Sequence, residues 1–128
     1  MKVDKPLKKI NKRKLAKKMD VLISKIVRYR ATCAVPGCES PSLQCAHIYS
    51  RRNLHLRFDL LNLLPLCYRH HIHWAHKEPV EFTQWLYKGF PDRMAYLEVE
   101  KIKTETSFDY EGKYAELASQ ALELGIRI

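Results

Sequence analysis

The sequence predicts an α+β domain, mainly helical, in which a zinc-stapled core of two short strands carries helices on either side. Three observations predict it. Residues 33–76 hold all four cysteines and all six histidines of the chain. Apolar residues recur at helical spacing before and after that stretch. A length of 128 residues supports one domain with a modest core, which a structural metal would help to stabilise. The expected organisation is a basic arm and amphipathic helix over 1–31, the core over 32–90, and C-terminal helices packed on it over 91–128.

Residues 1–10 read as a flexible basic arm. Asn11 is placed to cap a helix in which Leu15, Met19, Leu22, Ile23 and Ile26 form one apolar stripe. Lys12, Arg13, Lys14, Lys17, Lys18, Lys25 and Arg28 fall mostly off the stripe. Pro36-Gly37 predicts a turn that brings Cys33 and Cys38 together. Leu43–Tyr49 reads as a short strand. Ser50–Asp59, with Arg51, Arg52 and Arg57, reads as a loop or hairpin. Leu60–Cys67 reads as a loop and a second short strand, and Tyr68–Lys77 as a helix carrying histidines. Pro79 and Pro91 favour helix starts. Phe82, Trp85 and Leu86 face the core from the first of these helices, with Gly89 as its C-cap. Met94, Leu97 and Ile102 are core candidates in the second. Residues 104–112 form a polar turn region. A last helix over about 113–124 turns Tyr114, Leu117, Ala121 and Leu122 inward, and Gly125 ends it.

Charge is concentrated at one end. Residues 1–30 carry 12 Lys or Arg against two Asp, a net of +10, in a chain whose total is +9. A concentrated basic block suits a polyanion, most often nucleic acid. No apolar run approaches the roughly 20 residues of a membrane helix, and the lysine-rich start lacks the apolar stretch of a secretory signal. A reducing cytoplasmic setting is therefore expected, where clustered cysteines more often bind metal than pair.

Zinc takes four soft ligands in a tetrahedron, commonly from two short loops. Cys33-x4-Cys38 supplies one half and Cys67-x2-His70 the other. Cys45 is the alternative fourth ligand. It is disfavoured because it sits in the strand, whereas Cys67-x2-His70 has the spacing of a zinc half-site.

The remaining histidines suggest a second site. Three phrases, C-A-V-P-G-C, L-Q-C-A-H-I and N-L-L-P-L-C-Y-R-H-H, together with His76, resemble an HNH endonuclease of the ββα-metal superfamily. The likeness covers about residues 33–90. Within the family the chain is most similar to small phage-type HNH nucleases, including Rap/NinG-like recombination nucleases. The resemblance implies that His47 activates water, that Asn62 holds the loop and orients the His47 ring, and that His71 holds a catalytic divalent metal. It implies cleavage to 5′-phosphate and 3′-hydroxyl ends, with Mg2+ or Mn2+ as the expected ion and Ni2+ or Zn2+ as alternatives. Two positions depart from the family pattern. Ala46 stands where many members carry an acidic or histidine ligand. The helical histidine expected four residues after His71 is Ala75, leaving His73 and His76 as candidates for the second ligand.

The resulting expectation is a metal-dependent DNA endonuclease of a bacterial or phage-infected cell, acting on branched or recombining DNA and forming a homodimer if it cuts both strands. Arg51, Arg52, Arg57, Lys12, Arg13, Lys17 and Lys18 are the candidate phosphate contacts. The rival expectation is a non-catalytic zinc-knuckle DNA-binding module of a phage recombination or packaging complex. His47, Asn62 and His71 argue against it, since none is needed to hold zinc.

Overall fold

A computed structural model describes residues 11–103 and 107–128 of the chain, so the arm over 1–10 lies outside the described residues. The order of elements is helix α1 (Lys12–Arg28), strand β1 (Leu43–His47), short helix α2 (Leu54–Arg57), a 3-10 turn (Leu60–Asn62), strand β2 (Leu63–Cys67), a π-helical segment (Arg69–Ala75), and helices α3 (Pro79–Gly89), α4 (Pro91–Glu100) and α5 (Tyr110–Leu124). β1 and β2 pair antiparallel, with Leu43 opposite Cys67 and His47 opposite Leu63.

The two strands form the middle of three layers. Side chains alternate across a strand, so each face can bury its own set. Leu64 and Leu66 point to one side, where they meet Leu56, Ala75, Phe82, Leu86, Met94 and Leu97. Leu63 points to the other, where it meets Met19, Leu22, Ile23, Phe58, Leu117 and Ala121. One core thus joins the hairpin to the π-helical segment, α3 and α4. The second joins it to α1 and α5. A hairpin alone would be marginal in water, and burial on both faces is what makes it stable.

Local chemistry explains the boundaries. The Asn11 side chain accepts from Lys14 N at 3.1 Å, so α1 begins where the sequence predicts. Met19, Leu22 and Ile23 are buried, with Leu15 and Ile26 packed beside them. Gly37 takes the left-handed φ of +81° that the Cys33–Cys38 turn requires. Gly125 does the same at φ +84° and ends α5.

Four expectations are corrected. Ser50–Asp59 is not a plain loop or hairpin: it contains α2, capped by Asn53 Oδ1 accepting from Leu56 N at 3.2 Å and anchored by fully buried Leu56. The helix expected over the histidines does form, as the π-helical segment. Gly89 is the last residue of α3, not its cap, and Phe90 closes the helix instead. Ile102 is 75 % exposed because α4 ends at Glu100, and Leu122 is 65 % exposed because α5 packs on α1 through Leu117 and Ala121. Finally, α5 starts at Tyr110, where the Asp109 side chain accepts from Gly112 N at 2.9 Å.

Candidate metal centres

The four zinc candidates converge. The ligand atoms of Cys33, Cys38, Cys67 and His70 all lie within 4.8 Å of one another. Cys38 Sγ is 3.8 Å from Cys67 Sγ, and Cys33 Sγ is 3.5 Å from His70 Nδ1. A tetrahedron with zinc–sulfur bonds of about 2.3 Å and a zinc–nitrogen bond of about 2.0 Å has edges of about 3.8 and 3.5 Å. The donor set and its spacing therefore fit zinc. The Cys67–His70 edge is shorter, at 3.1 Å. Two backbone amides point at sulfur: Cys67 N donates to Cys33 Sγ and His70 N to Cys67 Sγ, both at 3.4 Å. Burial alone would raise the Cys67 thiol, but the His70 amide and the neighbouring thiols bring it below its ordinary value, toward the ligating thiolate. Cys45 lies outside this group. Its half-buried thiol packs toward α1, and burial pushes it up to about 11.

His70 and His71 are adjacent yet serve opposite sides of the segment. His70 faces the cysteines. His71 faces a cavity of about 460 Å³ lined by Ala46, His47, Ser50, Ala75, His76 and Thr83, among others. The π-helical backbone decides which histidine joins it. Its bonds run i→i+5, as in His76 N to His71 O at 3.1 Å, so residues five apart stack on one face. The His71 and His76 rings are accordingly 4.6 Å apart, centroid to centroid. His73 turns away, packs on Tyr68, and lines a different pocket with Trp74 and Trp85. Of the two candidates for the second helical ligand, His76 is the one that shares the cavity with His71.

Neighbours set one ring nitrogen of His71 and one of His47. His71 Nδ1 donates to Gln44 Oε1 at 2.8 Å, which leaves Nε2 free for a metal. Gln44 and Ala46 are two apart on β1 and meet the histidine segment, Gln44 through its bond to His71 and Ala46 in the cavity wall. Burial, then the nearby His76 and His47 rings, lowers the His71 pKa, which favours the neutral, ligating ring. His47 stands at the end of β1. The Arg57 backbone carbonyl accepts from its ring, while its Nε2 is buried without a hydrogen-bond partner among the described residues. Burial first, and Arg51 second, hold its pKa below the ordinary histidine value. His47 lines the cavity as a neutral imidazole whose buried Nε2 lone pair is unused, the form that can accept a proton.

Asn62 is fully buried and works on the backbone. Its side chain accepts from Tyr49 N at 2.8 Å and donates to Tyr49 O at 3.0 Å and Leu56 O at 3.1 Å. Its own carbonyl accepts from Ile48 N at 2.8 Å. It therefore clamps the two residues after His47 to the end of α2. The expected contact between Asn62 and the His47 ring is replaced by the Arg57 carbonyl, which Asn62 helps to place through Leu56.

The basic candidates separate. Arg57 donates to both Asp20 oxygens, at 3.1 and 2.6 Å, so it ties α2 to α1 instead of standing free for phosphate. Arg51 is exposed and lines a polar pocket with His47, whereas Arg52 is exposed outside it. Lys17 and Lys18 line an apolar groove with Val21, Tyr114 and Ile128, separate from the histidines. Lys12 lies over the Tyr110 ring at 5.9 Å, and Arg13 is exposed. His55 pairs with buried Glu100, which also accepts from Lys103. Sequence reasoning missed Gln44, the partner of His71. Gln44 was signalled by its place two residues before Ala46 on the strand.

No helix among the described residues is long and apolar enough to cross a membrane. No family model, curated protein or solved structure matches this chain.

Proposed function

We propose that the chain is a metal-dependent endonuclease of the HNH type that hydrolyses DNA phosphodiester bonds. The observation that carries this reading is the convergence of His47, His71 and His76 on one cavity, next to a complete Cys3His group that has no use for them. Closed four-donor sites are structural, whereas catalytic sites keep a position open for water or substrate. Here one short segment serves both, with His70 in the first and His71 in the second.

His71 and His76 would hold the catalytic ion, with Gln44 fixing the His71 tautomer. A divalent ion there supplies polarisation of a phosphate oxygen and neutralises charge at the leaving oxygen. His47 Nε2 takes the proton of the attacking water, and the Arg57 carbonyl keeps the opposite nitrogen protonated and the ring oriented. Asn62 holds the loop that sets this geometry. Ala46, in the cavity wall, offers no donor, and the lining contains no carboxylate. An imidazole pair suits nickel or zinc better than magnesium or manganese.

The second reading, a binding module that does not cut, draws on Ala46 alone. Nicking of supercoiled plasmid separates the two. Zinc-loaded protein is assayed with EDTA, magnesium, manganese or nickel. Cutting that requires added metal supports the nuclease. DNA binding without cutting under every metal favours the module.

A further inference from the structure

His47 borders two cavities. One holds His71 and His76. The other, of about 290 Å³ on the α1 side, is lined by Asp20, Ser24, Arg28, Leu43, Gln44, Cys45, His47 and Arg51. Its charge is simple to account for. Asp20 is neutralised by the two-pronged Arg57 pair, and the Cys45 thiol is kept protonated by burial. His47 is held neutral. Two guanidinium groups remain, and among the described residues neither Arg28 nor Arg51 is paired with a carboxylate. Arg28 is also held in place. Its Nε donates to Ser24 O at 3.2 Å and to Ser24 Oγ at 3.0 Å, which leaves its two terminal amino groups for a ligand. A fixed guanidinium loses little freedom when it binds, and its planar fork matches two phosphate oxygens.

We propose that Arg28 and Arg51 form a phosphate subsite beside the cleavage site, which takes the phosphate neighbouring the scissile one on the same strand. The inference rests on the nuclease reading for its place in the reaction, though the anion site itself does not depend on cleavage. It gives α1 a specific task. The strand crosses His47 with one phosphate at the histidine pair and the next between the two arginines, and Ser24 is the positioning residue for Arg28. Register on the backbone is then set by two defined anchors, and the remaining lysines contribute only general attraction.

The test uses thymidine 3′,5′-bisphosphate, whose phosphates are one nucleoside apart, against thymidine 5′-monophosphate. Binding to zinc-loaded protein is measured by calorimetry, first with manganese and then without added metal. With manganese, the bisphosphate is expected to bind wild type about tenfold tighter than the monophosphate. Arg28→Ala and Arg51→Ala should each remove that advantage. Lys25→Ala, which deletes the same charge from the same turn of α1, should keep it. Ser24→Ala should reduce it, and Arg28→Lys should not restore it. Without added metal, either nucleotide should bind weakly, with the same dependence on Arg28. Equal losses in Arg28→Ala and Lys25→Ala would overturn the subsite, as would equal affinity for the two nucleotides in wild type. A plasmid that stays uncut while the arginine-dependent binding persists would sink the nuclease reading and leave the anion site standing.

Discussion

The Cys3His group and the histidine cavity lie back to back across seven residues of π-helix, yet they are built on opposite plans. In the first, four donors close to within 4.8 Å and backbone amides point at two of the sulfurs. In the second, His47, His71 and His76 stand too far apart to form such a cluster, one Nε2 is unpartnered, and the space between them is open. The first arrangement offers a metal four donors, the pattern of a structural site. The second leaves a lone pair unused, which the proposed nuclease reading requires. The same chain segment can do both because adjacent helical residues point to different sides.

The largest effect should come from breaking the closed site. Cys67→Ser or Cys38→Ser removes a ligand from a site whose metal contributes about 10 kcal/mol or more to folding in comparable small domains. Metal analysis should then find less than one zinc per chain. Thermal melting should lose its cooperative transition or drop by about 30 °C or more. A variant that melts like wild type with no zinc would show that the two hydrophobic cores suffice alone.

The open site should respond in the opposite way. His47→Ala should keep its zinc and its melting temperature while nicking falls by about 10²- to 10⁴-fold, the usual loss of a general base. Retained nicking would remove His47 from the chemistry and assign its buried Nε2 no function.

Within the open site, the π-helical register makes a finer distinction. His76→Ala should weaken manganese or nickel binding at the second site on the order of 100-fold, and Gln44→Leu about tenfold, since an outer partner fixes ligand orientation. His73→Ala should leave affinity unchanged. Titration of zinc-loaded protein followed by calorimetry reads all three. If His73→Ala is the damaging change, His71 and His76 are not the ligand pair.

These two sites were not equally legible in the sequence. The zinc set was readable because ligand spacing is itself the signal: Cys33-x4-Cys38 with a turn glycine, and Cys67-x2-His70. The hairpin followed from the apolar runs that flank it. The partner of His71 was not readable. Whether residue 75 or residue 76 stands beside His71 depends on i→i+4 against i→i+5 bonding. That choice is made by tertiary constraints at both ends, with His70 drawn to the cysteines and Ala75 buried in the core. No local propensity encodes it. Helix α2 was hidden for a related reason. A four-residue helix lives on its Asn53 cap and on the burial of Leu56, and two neighbouring arginines make the stretch read as loop. Ile102 and Leu122 show the converse, since an apolar residue at a helix end or flank is often simply exposed.

The smallest effect concerns pH, and its sign is fixed by the environment of His47. Burial and Arg51 both disfavour the charged ring, so its folded pKa lies below the ordinary 6.5. The neutral ring that accepts a proton is therefore present above that lowered value and lost as pH falls through it. At saturating metal and DNA, the acid limb of kcat should have its midpoint below 6.5 in wild type. Arg51→Ala removes one of the three lowering causes, burial and the Arg57 charge being the others, so the midpoint should move upward, toward 6.5, by less than about one unit. Stability should follow the same group. Below about pH 6.5 the unfolded ring binds a proton that the folded ring refuses, so the unfolded state gains and stability falls as pH drops toward the folded pKa. In the variant that loss should span a narrower window. A midpoint that moves down in Arg51→Ala would mean that Arg51 does not act on the ring through its charge, and the rate limb would then belong to a group other than His47.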